Sequence, residues 1–230
     1  MQRIIVLNSK GGCGKTTVAT NLASIYASQG LQTALLDYDP QASSMRWLSL
    51  RSQERPEIFG NKAAHSQRRT NATRAWQNRV PPETDRVIID APAGVDTLQL
   101  QDYMRNVTTI LIPVLPSPID IHAATRFIED LLLVGKVRQL GIRVGVVANR
   151  TRKNTKVYQS LERFLTSLNL PFITTIRDTQ NYVHAAARGI GIHEMWDSRA
   201  AQDKQHWYAI YDWLEQDEPS SVSIPTVPTA

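Results

Sequence analysis

The chain has 230 residues, of which 42% are hydrophobic and 20% charged, and its formal net charge is +5. This balance is typical of a globular domain and excludes a chain that is disordered throughout. No apolar run reaches the roughly 18 residues of a membrane span and no signal-peptide pattern is present, so we expect a cytoplasmic protein. The single cysteine, Cys13, excludes an internal disulfide and a cysteine-built metal site within one chain.

Short apolar runs rich in β-branched residues alternate with helix-length segments along the chain. The runs are Ile4–Leu7, Thr33–Leu36, Val87–Ile89, Thr109–Val114 and Val144–Val147. The helix-length segments are Thr16–Gln29, Asp120–Leu140, Thr155–Leu168, Thr179–Arg188 and Ala200–Leu214. Because strands that are buried on both faces lack polar alternation, this pattern predicts an α/β fold with a doubly wound, mainly parallel sheet flanked by helices.

Two segments lack this regular pattern. Residues 52–82 are polar and aperiodic, and we interpret them as a loop or short helices. Pro219–Ala230 combines Pro, Ser and Thr without an apolar face, which predicts a disordered tail. We therefore expect one domain over residues 1–218.

A glycine-rich turn lies between the first predicted strand and the first predicted helix. It reads Lys10-Gly11-Gly12-Cys13-Gly14-Lys15-Thr16 and is followed by Thr17. The backbone N–H groups of such a turn, and the N-terminus of the next helix, point at anionic oxygens. We expect Lys15 to neutralise the β- and γ-phosphates, Thr16 to bind Mg²⁺ and Thr17 to support the phosphates. The sequence therefore predicts a phosphate loop (P-loop) that binds ATP.

The P-loop departs from the general pattern, which has glycine where this chain has Ser9 and does not require a lysine at position 10. The pattern Lys-Gly-Gly-x-Gly-Lys-Thr instead resembles the deviant Walker A motif of the ParA/MinD family of ATPases. The resemblance implies a nucleotide-sandwich dimer in which Lys10 reaches the phosphates bound by the partner chain. It also implies slow, Mg²⁺-dependent hydrolysis of ATP to ADP and phosphate.

The segment Asp37-Tyr38-Asp39-Pro40-Gln41 follows the second predicted strand, at the place where α/β sheets bind ligands. It resembles switch I of the family. The resemblance implies that Asp39 positions the attacking water and contributes to the metal site, in keeping with the ability of a carboxylate to accept protons. Two interpretations of Asp37 remain open, an indirect contribution to Mg²⁺ and a cap on the strand end.

Asp90 directly follows the apolar run Val87–Ile89, as in a Walker B strand, where the carboxylate holds Mg²⁺ directly or through water. The next residues, Ala91–Gly94, resemble switch II, whose backbone responds to the γ-phosphate. The segment Ile112–Asp120 is similar to a proline-rich structural element near the dimer interface of the family.

Asn149 follows the last predicted strand. An amide can both donate to and accept from a base edge, and the resemblance implies that Asn149 reads adenine. Arg177 and Asp178 look like the later segment that closes over the base, although Ile176 stands where the family usually has proline. The resemblance extends from Arg3 to about Met195, and the overall length is most similar to the small ParA proteins.

Two segments concentrate positive charge. Arg46–Arg79 holds eight lysines and arginines against two glutamates, a local charge of +6. The second cluster contains Arg150, Arg152, Lys153 and Lys156, and no acidic residue lies between Gly141 and Tyr158. We predict that this second cluster contacts DNA phosphates without reading bases; the alternative is an ordinary solvated face.

The first hypothesis for function is therefore a positioning or partition ATPase. Its ATP-bound dimer would bind nonspecific DNA and associate with the nucleoid, and a ParB-like adaptor on a plasmid, chromosome or protein-based organelle would stimulate hydrolysis. One alternative is a membrane-associated regulator of the MinD type. The aromatic segment Trp207–Leu214 is followed by three acidic residues that repel anionic lipid, so we expect core packing and no stable membrane insertion. The other alternative is a nucleotide-gated scaffold without significant hydrolysis.

Overall fold

The computed structural model describes residues 1–62, 79–133, 136–152, 155–167, 170–196 and 198–216. The strands are β1 (Gln2–Val6), β2 (Thr33–Asp37), β3 (Ile58–Lys62), β4 (Arg86–Asp90), β5 (Thr109–Val114), β6 (Arg143–Thr151) and β7 (Phe172–Arg177). The α-helices are α1 (Lys15–Ser28), α2 (Ser43–Ser49), α3 (Thr97–Met104), α4 (Pro118–Leu133), α5 (Lys156–Ser167), α6 (Asn181–Ala186) and α7 (Ala201–Glu215). Two 3-10 helices cover Ile192–Glu194 and Ser198–Ala200.

All seven strands are parallel and form one sheet in the order β3-β2-β4-β1-β5-β6-β7. Alternate residues of the central strand β1 serve two separate cores, because successive side chains of a strand point to opposite faces. Ile5 packs with side chains of α3, α4 and α5, whereas Ile4 and Val6 pack with α1 and α7 on the other face. The predicted α/β fold with a doubly wound parallel sheet is confirmed.

The C-terminal helix α7 belongs to the second core. Trp207, Ile210 and Leu214 are buried in it, and the guanidinium of Arg143 stacks on the Trp213 ring at 4.5 Å. The predicted core packing of the aromatic residues is therefore confirmed for Trp207, whereas Tyr208 is 47% exposed and contradicts it. Within the described part of the chain, no helix has the length and apolar character to cross a membrane.

Two expectations for local structure were wrong. Residues 52–82 include the strand β3, which pairs with β2 at the edge of the sheet. Only its first residue, Ile58, is buried, so β3 lacks the apolar pattern of a buried strand. The helix that we expected over Asp120–Leu140 is α4, which begins at Pro118 and ends at Leu133. Proline is tolerated in the first turn of a helix. A turn closed by Ile142 N–H donating to the Val137 carbonyl precedes β6.

The helices α2 and α3 escaped the sequence pattern because they span only seven and eight residues. The strand β7 escaped it because only two of its six residues are buried. The expectation of a single domain over residues 1–218 stays a prediction. The expected tail, Pro219–Ala230, lies outside the described residues.

Candidate functional site

The register of the sheet brings the predicted nucleotide-binding residues together at its carboxyl edge. Asp37 ends β2 and pairs with Asp90, which ends β4. Asp90 in turn pairs with Val6, the last residue of β1, and the P-loop begins four residues later, at Lys10. Three neighbouring strands thus deliver both carboxylates and the P-loop to one place, as expected for a ligand site in a parallel sheet.

The P-loop adopts a conformation that requires glycine at two positions. Gly12 and Gly14 have φ angles of +75° and +94°, in the left-handed region that side chains disfavour. Asn8, which sequence reasoning missed, fixes the start of the loop. Its amide donates to the Pro113 carbonyl on β5 at 2.6 Å, and its side-chain oxygen accepts from the Lys10 N–H at 3.1 Å. The signal in the sequence that could have identified Asn8 was an amide side chain directly after the first predicted strand.

The ammonium of Lys15 lies inside the P-loop. The residue is 6% exposed, and Nζ donates to the carbonyls of Lys10 at 2.8 Å and Asn8 at 3.3 Å. A buried cation without a carboxylate in its hydrogen bonds to described residues is strongly attracted to an anion. The geometry therefore agrees with the predicted role of Lys15 as the partner of nucleotide phosphates. Thr16 and Thr17 follow in the first turn of α1.

Cys13 packs inside the P-loop, where its thiol donates to the Lys10 carbonyl at 3.3 Å. Burial raises the pKa of this thiol, although the nearby Lys15 charge opposes the shift. A raised pKa disfavours the reactive thiolate. Cys13 is accordingly a packing residue.

Asn149 contacts the P-loop directly. Its amide Nδ2 donates to the Cys13 carbonyl at 2.7 Å, and its Oδ1 accepts from the Arg150 N–H. A side chain at position 14 would place its Cβ 2.0 Å from Nδ2 of Asn149. Asn149 therefore supports the P-loop, a role that the sequence did not indicate. Its predicted contact with adenine stays a prediction.

Asp90 is a buried carboxylate of the site with a strongly raised pKa. Its carboxylate is fully buried, and neither oxygen makes a hydrogen bond within the described part of the chain. Burial raises its pKa to about 7, and the charges of Asp37 and Asp39 add to the shift against the opposing effect of Thr16 and Lys15. A buried carboxylate without donors beside a threonine hydroxyl is suited to hold Mg²⁺.

The hydrogen bonds of Asp37 agree with its interpretation as a cap on the strand end, and its indirect contribution to Mg²⁺ stays a prediction. Its carboxylate accepts from the N–H groups of Ser44 and Met45 at 3.0 and 3.1 Å, at the start of α2, and from the Asp39 N–H at 3.0 Å. Asp37 thus anchors the switch I-like segment and α2. Asp39 is partly exposed, and its carboxylate accepts from the Gln41 N–H at 2.9 Å. It remains available to a water or a metal ion.

The switch II-like segment Ala91–Gly94 lies on the P-loop. The Gly94 N–H donates to the Ser9 carbonyl at 3.0 Å, and the Ala91 N–H donates to Val6 at 3.3 Å. A change in the P-loop therefore reaches this segment through one hydrogen bond. Lys10 is partly buried on the same loop, and its ammonium makes no hydrogen bond or ion pair with a described residue.

The side chains at the end of β7 face away from one another. The Arg177 guanidinium donates to the buried Asp203 at 2.9 Å. Asp178 forms ion pairs with Arg150 at 3.4 Å and Arg152 at 2.8 Å, and these arginines lower the pKa of its carboxyl. The predicted closure of both residues over the base stays a prediction.

Ion pairs reduce the free positive charge of both basic segments. Asp178 supplies the acidic partner that is missing from residues 142–157 of the sequence, so the charges of Arg150 and Arg152 are partly neutralised. In the other segment, Arg51 is almost fully buried in an ion pair with Glu194. Lys153 lies outside the described residues, as do Arg68, Arg69 and Arg74.

A parallel sheet, a P-loop with an enclosed lysine and a buried carboxylate on the adjacent strand define a P-loop nucleotide-binding domain. The model of the CobQ/CobB/MinD/ParA nucleotide binding domain matches residues 4–192. This protein belongs to that family, which confirms the resemblance found in the sequence and the expected nucleotide binding.

Individual proteins of this family are similar to the chain over most of its length. The maintenance of carboxysome distribution protein A of Halothiobacillus neapolitanus is 30% identical over 198 residues, which are 84% of this chain and 87% of that protein. The Cyanothece McdA–ATP complex has a TM-score of 0.73 at 16% identity, covering 96% of this chain and 99% of that one. A Borrelia burgdorferi B31 protein described as a plasmid partition protein, bound to AMPPNP, has a TM-score of 0.69 at 15% identity, covering 92% and 99%. At these identities the two structures establish the fold alone.

Proposed function

We propose that this protein is a ParA-type ATPase that hydrolyses ATP slowly with Mg²⁺ and uses its ATP-bound state to position or segregate a cargo. The observation that supports this most is the arrangement around the P-loop. The enclosed ammonium of Lys15 acts electrostatically on the buried carboxylate of Asp90, and the switch II-like segment is hydrogen-bonded to Ser9 at the start of the loop. A γ-phosphate bound there would act on catalytic groups and on a mobile backbone at once.

In this proposal Mg²⁺ is held by the Thr16 hydroxyl and Asp90, with Asp39 contributing from the switch I-like segment. Bound Mg²⁺ would neutralise charge on the phosphates. The charge of Asp39 acts on Asp90, so the two carboxylates are close enough to serve one site. Asp39 would also orient the attacking water, because its carboxylate is partly exposed whereas those of Asp37 and Asp90 are buried.

The ATP-bound form would be a homodimer in which Lys10 reaches the phosphates of the partner subunit. The absence of any described partner for its ammonium supports this role. An unpaired lysine on the rim of a phosphate site gains most by pairing with an anion. Dimerisation would then depend on the triphosphate.

The dimer would bind nonspecific DNA through Arg150, Arg152, Lys153 and Lys156. The side chains of Arg150 and Arg152 are 61% and 76% exposed, so phosphate oxygens can reach them despite Asp178. Two weak surfaces set side by side in a dimer act together on one duplex. In a cell the ATP-bound protein would then be cytoplasmic and associated with the nucleoid.

A ParB-like adaptor on the cargo would stimulate hydrolysis and release the dimer from DNA. A sequence relative that covers 84% of this chain is named for carboxysome distribution, whereas the plasmid partition protein is similar at the level of the fold. A protein-based organelle is therefore the favoured cargo, ahead of a plasmid or chromosome.

The test combines phosphate release with DNA gel shifts in ADP and in a nonhydrolysable ATP analogue. Lys15→Ala should lose ATP binding, and Asp39→Ala should keep ATP while losing turnover. Asp130→Ala is the matched control, because it removes an exposed carboxylate from α4. Turnover by Asp39→Ala equal to that of Asp130→Ala would refute the role of Asp39 in hydrolysis. DNA binding that is equal in ADP and in the ATP analogue would refute the nucleotide dependence of DNA binding.

A further inference from the structure

A cleft of about 580 Å³ opens between α6, the turn that follows α2 and the two 3-10 helices. Its lining includes Arg55, His184, Arg188, Trp196 and Arg199, and no residue of the P-loop. This volume lies in the range of sites that enclose side chains or small ligands. The cleft is therefore separate from the nucleotide site and large enough to bind part of another molecule.

The cleft carries positive charge. Among its described lining residues, Glu194 is the acid that faces the three arginines. Its carboxylate is 5% exposed and forms ion pairs with Arg51, which lies outside the lining, at 2.9 Å and with Arg55 at 3.1 Å, so the charge of Arg55 is partly neutralised. The side chains of His184 and Arg188 make no hydrogen bond or ion pair with a described residue. Asp197 lies outside the described residues.

Trp196 stands at the rim of the cleft and is 98% exposed. Trp207, by contrast, is completely buried and donates its N–H to the Tyr182 hydroxyl. Burial of an indole ring is strongly favourable, so a fully exposed tryptophan gains stability when another surface covers it. Tryptophan and arginine side by side are typical of the residues that dominate protein interfaces.

We propose that this cleft docks an acidic peptide segment of a partner protein. Carboxylates of the segment pair with Arg188 and the neighbouring cations, and an adjacent apolar side chain packs on Trp196. The concave shape favours a peptide over a DNA duplex, because a duplex is a convex rod wider than the cleft and its phosphates meet the rim only. The proposal does not depend on ATP hydrolysis.

The floor of the cleft is attached to the helix that begins at Lys15. The Ile192 N–H donates to Asn21 on α1 at 2.7 Å. The Ser24 hydroxyl, one turn further along α1, donates to Glu194. A peptide docked in the cleft would therefore contact a turn that is hydrogen-bonded to the helix that carries the P-loop lysine.

The test measures fluorescence anisotropy of a short labelled peptide in which glutamates alternate with leucine and phenylalanine. A second peptide has lysine in place of each glutamate. The acidic peptide should bind the nucleotide-free protein and the lysine peptide should not. Arg188→Glu and Trp196→Ala should each weaken binding about tenfold or more. Both side chains are exposed, so thermal melting should match the parent.

Arg138→Glu is the matched control, since it makes the same charge change at an exposed position outside the cleft. If Arg138→Glu weakens binding of the acidic peptide as much as Arg188→Glu does, the attraction is a general effect of charge and the proposal is overturned. Absence of acidic peptide binding would overturn it too. If Arg188→Glu instead abolishes binding of a DNA duplex and leaves the peptide bound, the cleft belongs to nucleic acid. None of these outcomes bears on ATP turnover, which is measured separately.

Discussion

The Asn149 amide donates to the Cys13 carbonyl at 2.7 Å and so connects the end of β6 to the P-loop. Replacement by alanine would leave a buried carbonyl without its donor, which costs about 1–3 kcal/mol. We expect Asn149→Ala to lower the melting temperature and to weaken ATP and GTP binding to the same degree, if the contact with the loop is its whole role. A larger loss for ATP than for GTP in calorimetry would reveal adenine recognition.

The control for this prediction is Asn149→Asp, which keeps the shape of the side chain and loses the donor. Its carboxylate would meet the Cys13 carbonyl as a second acceptor, so the loss of stability should exceed that of the alanine variant. A melting temperature equal to the parent for both variants would show that the hydrogen bond contributes nothing.

Asp90→Asn should stabilise the nucleotide-free protein at alkaline pH. Burial, with the charges of Asp37 and Asp39, raises the pKa of Asp90 from 3.8 to about 7. A raised carboxyl pKa lowers the stability of the fold as pH increases from 3.8 to 7, by on the order of 1.4 kcal/mol per pKa unit. The variant, which mimics the protonated acid, should melt higher than the parent at pH 8 and equally near pH 4.

The same variant tests the metal site. If Asp90 holds Mg²⁺, adding Mg²⁺ with ATP should raise the melting temperature of the parent at pH 8 much more than that of Asp90→Asn. Asp130→Asn, an exposed carboxylate on α4, is expected to respond like the parent. An equal response of all three proteins would remove Asp90 from the metal site.

The sequence indicated the fold and the phosphate site well because their signals are local. Strand β1, the glycines and Lys15 are consecutive, so one motif specifies the backbone that surrounds the phosphates. The contacts it could not indicate join distant segments. Asp178 meets Arg152 across 26 positions, and Glu194 meets Arg51 across 143. Charge counted along the chain therefore overestimated the free positive charge of both basic segments.

Glu194→Gln should destabilise the protein at neutral pH and not in strong acid. Burial opposes the charged form, but Arg51, Ser24 and the Gly191 N–H outweigh it and lower the pKa of Glu194 from 4.5 to about 2. A depressed carboxyl pKa gives stability above pH 4.5 that is lost as pH falls towards 2. The difference in unfolding free energy should be about 1–3 kcal/mol at pH 7, allowing for solvent screening. Urea titrations that show a constant difference down to pH 2 would contradict the charge argument.

Lys10→Ala should keep ATP affinity and lose the ATP-dependent dimer. A lysine that acts across subunits contributes only after association, and removing one partner of a buried charge pair costs about 2–5 kcal/mol. Light scattering with a nonhydrolysable analogue should show monomers for Lys10→Ala and dimers for both the parent and Arg163→Ala, which removes an exposed cation from α5. A dimer that persists in Lys10→Ala would assign this lysine to the loop of its own subunit.

Replacement of Arg152, Lys153 and Lys156 by alanine should weaken DNA binding by the ATP-bound protein and leave ATP affinity intact. Each phosphate that a cation neutralises contributes about −0.9 to the log–log slope of affinity against salt, so the variant should show a flatter slope. Because Asp178 already pairs with Arg152, the flattening should fall short of the value expected for three free cations. The matched control replaces Arg105, Arg126 and Arg138, which removes the same charge from exposed positions elsewhere. Gel shifts on unrelated duplexes at several salt concentrations make the measurement; the same slope for both triple variants would place the DNA surface elsewhere on the protein.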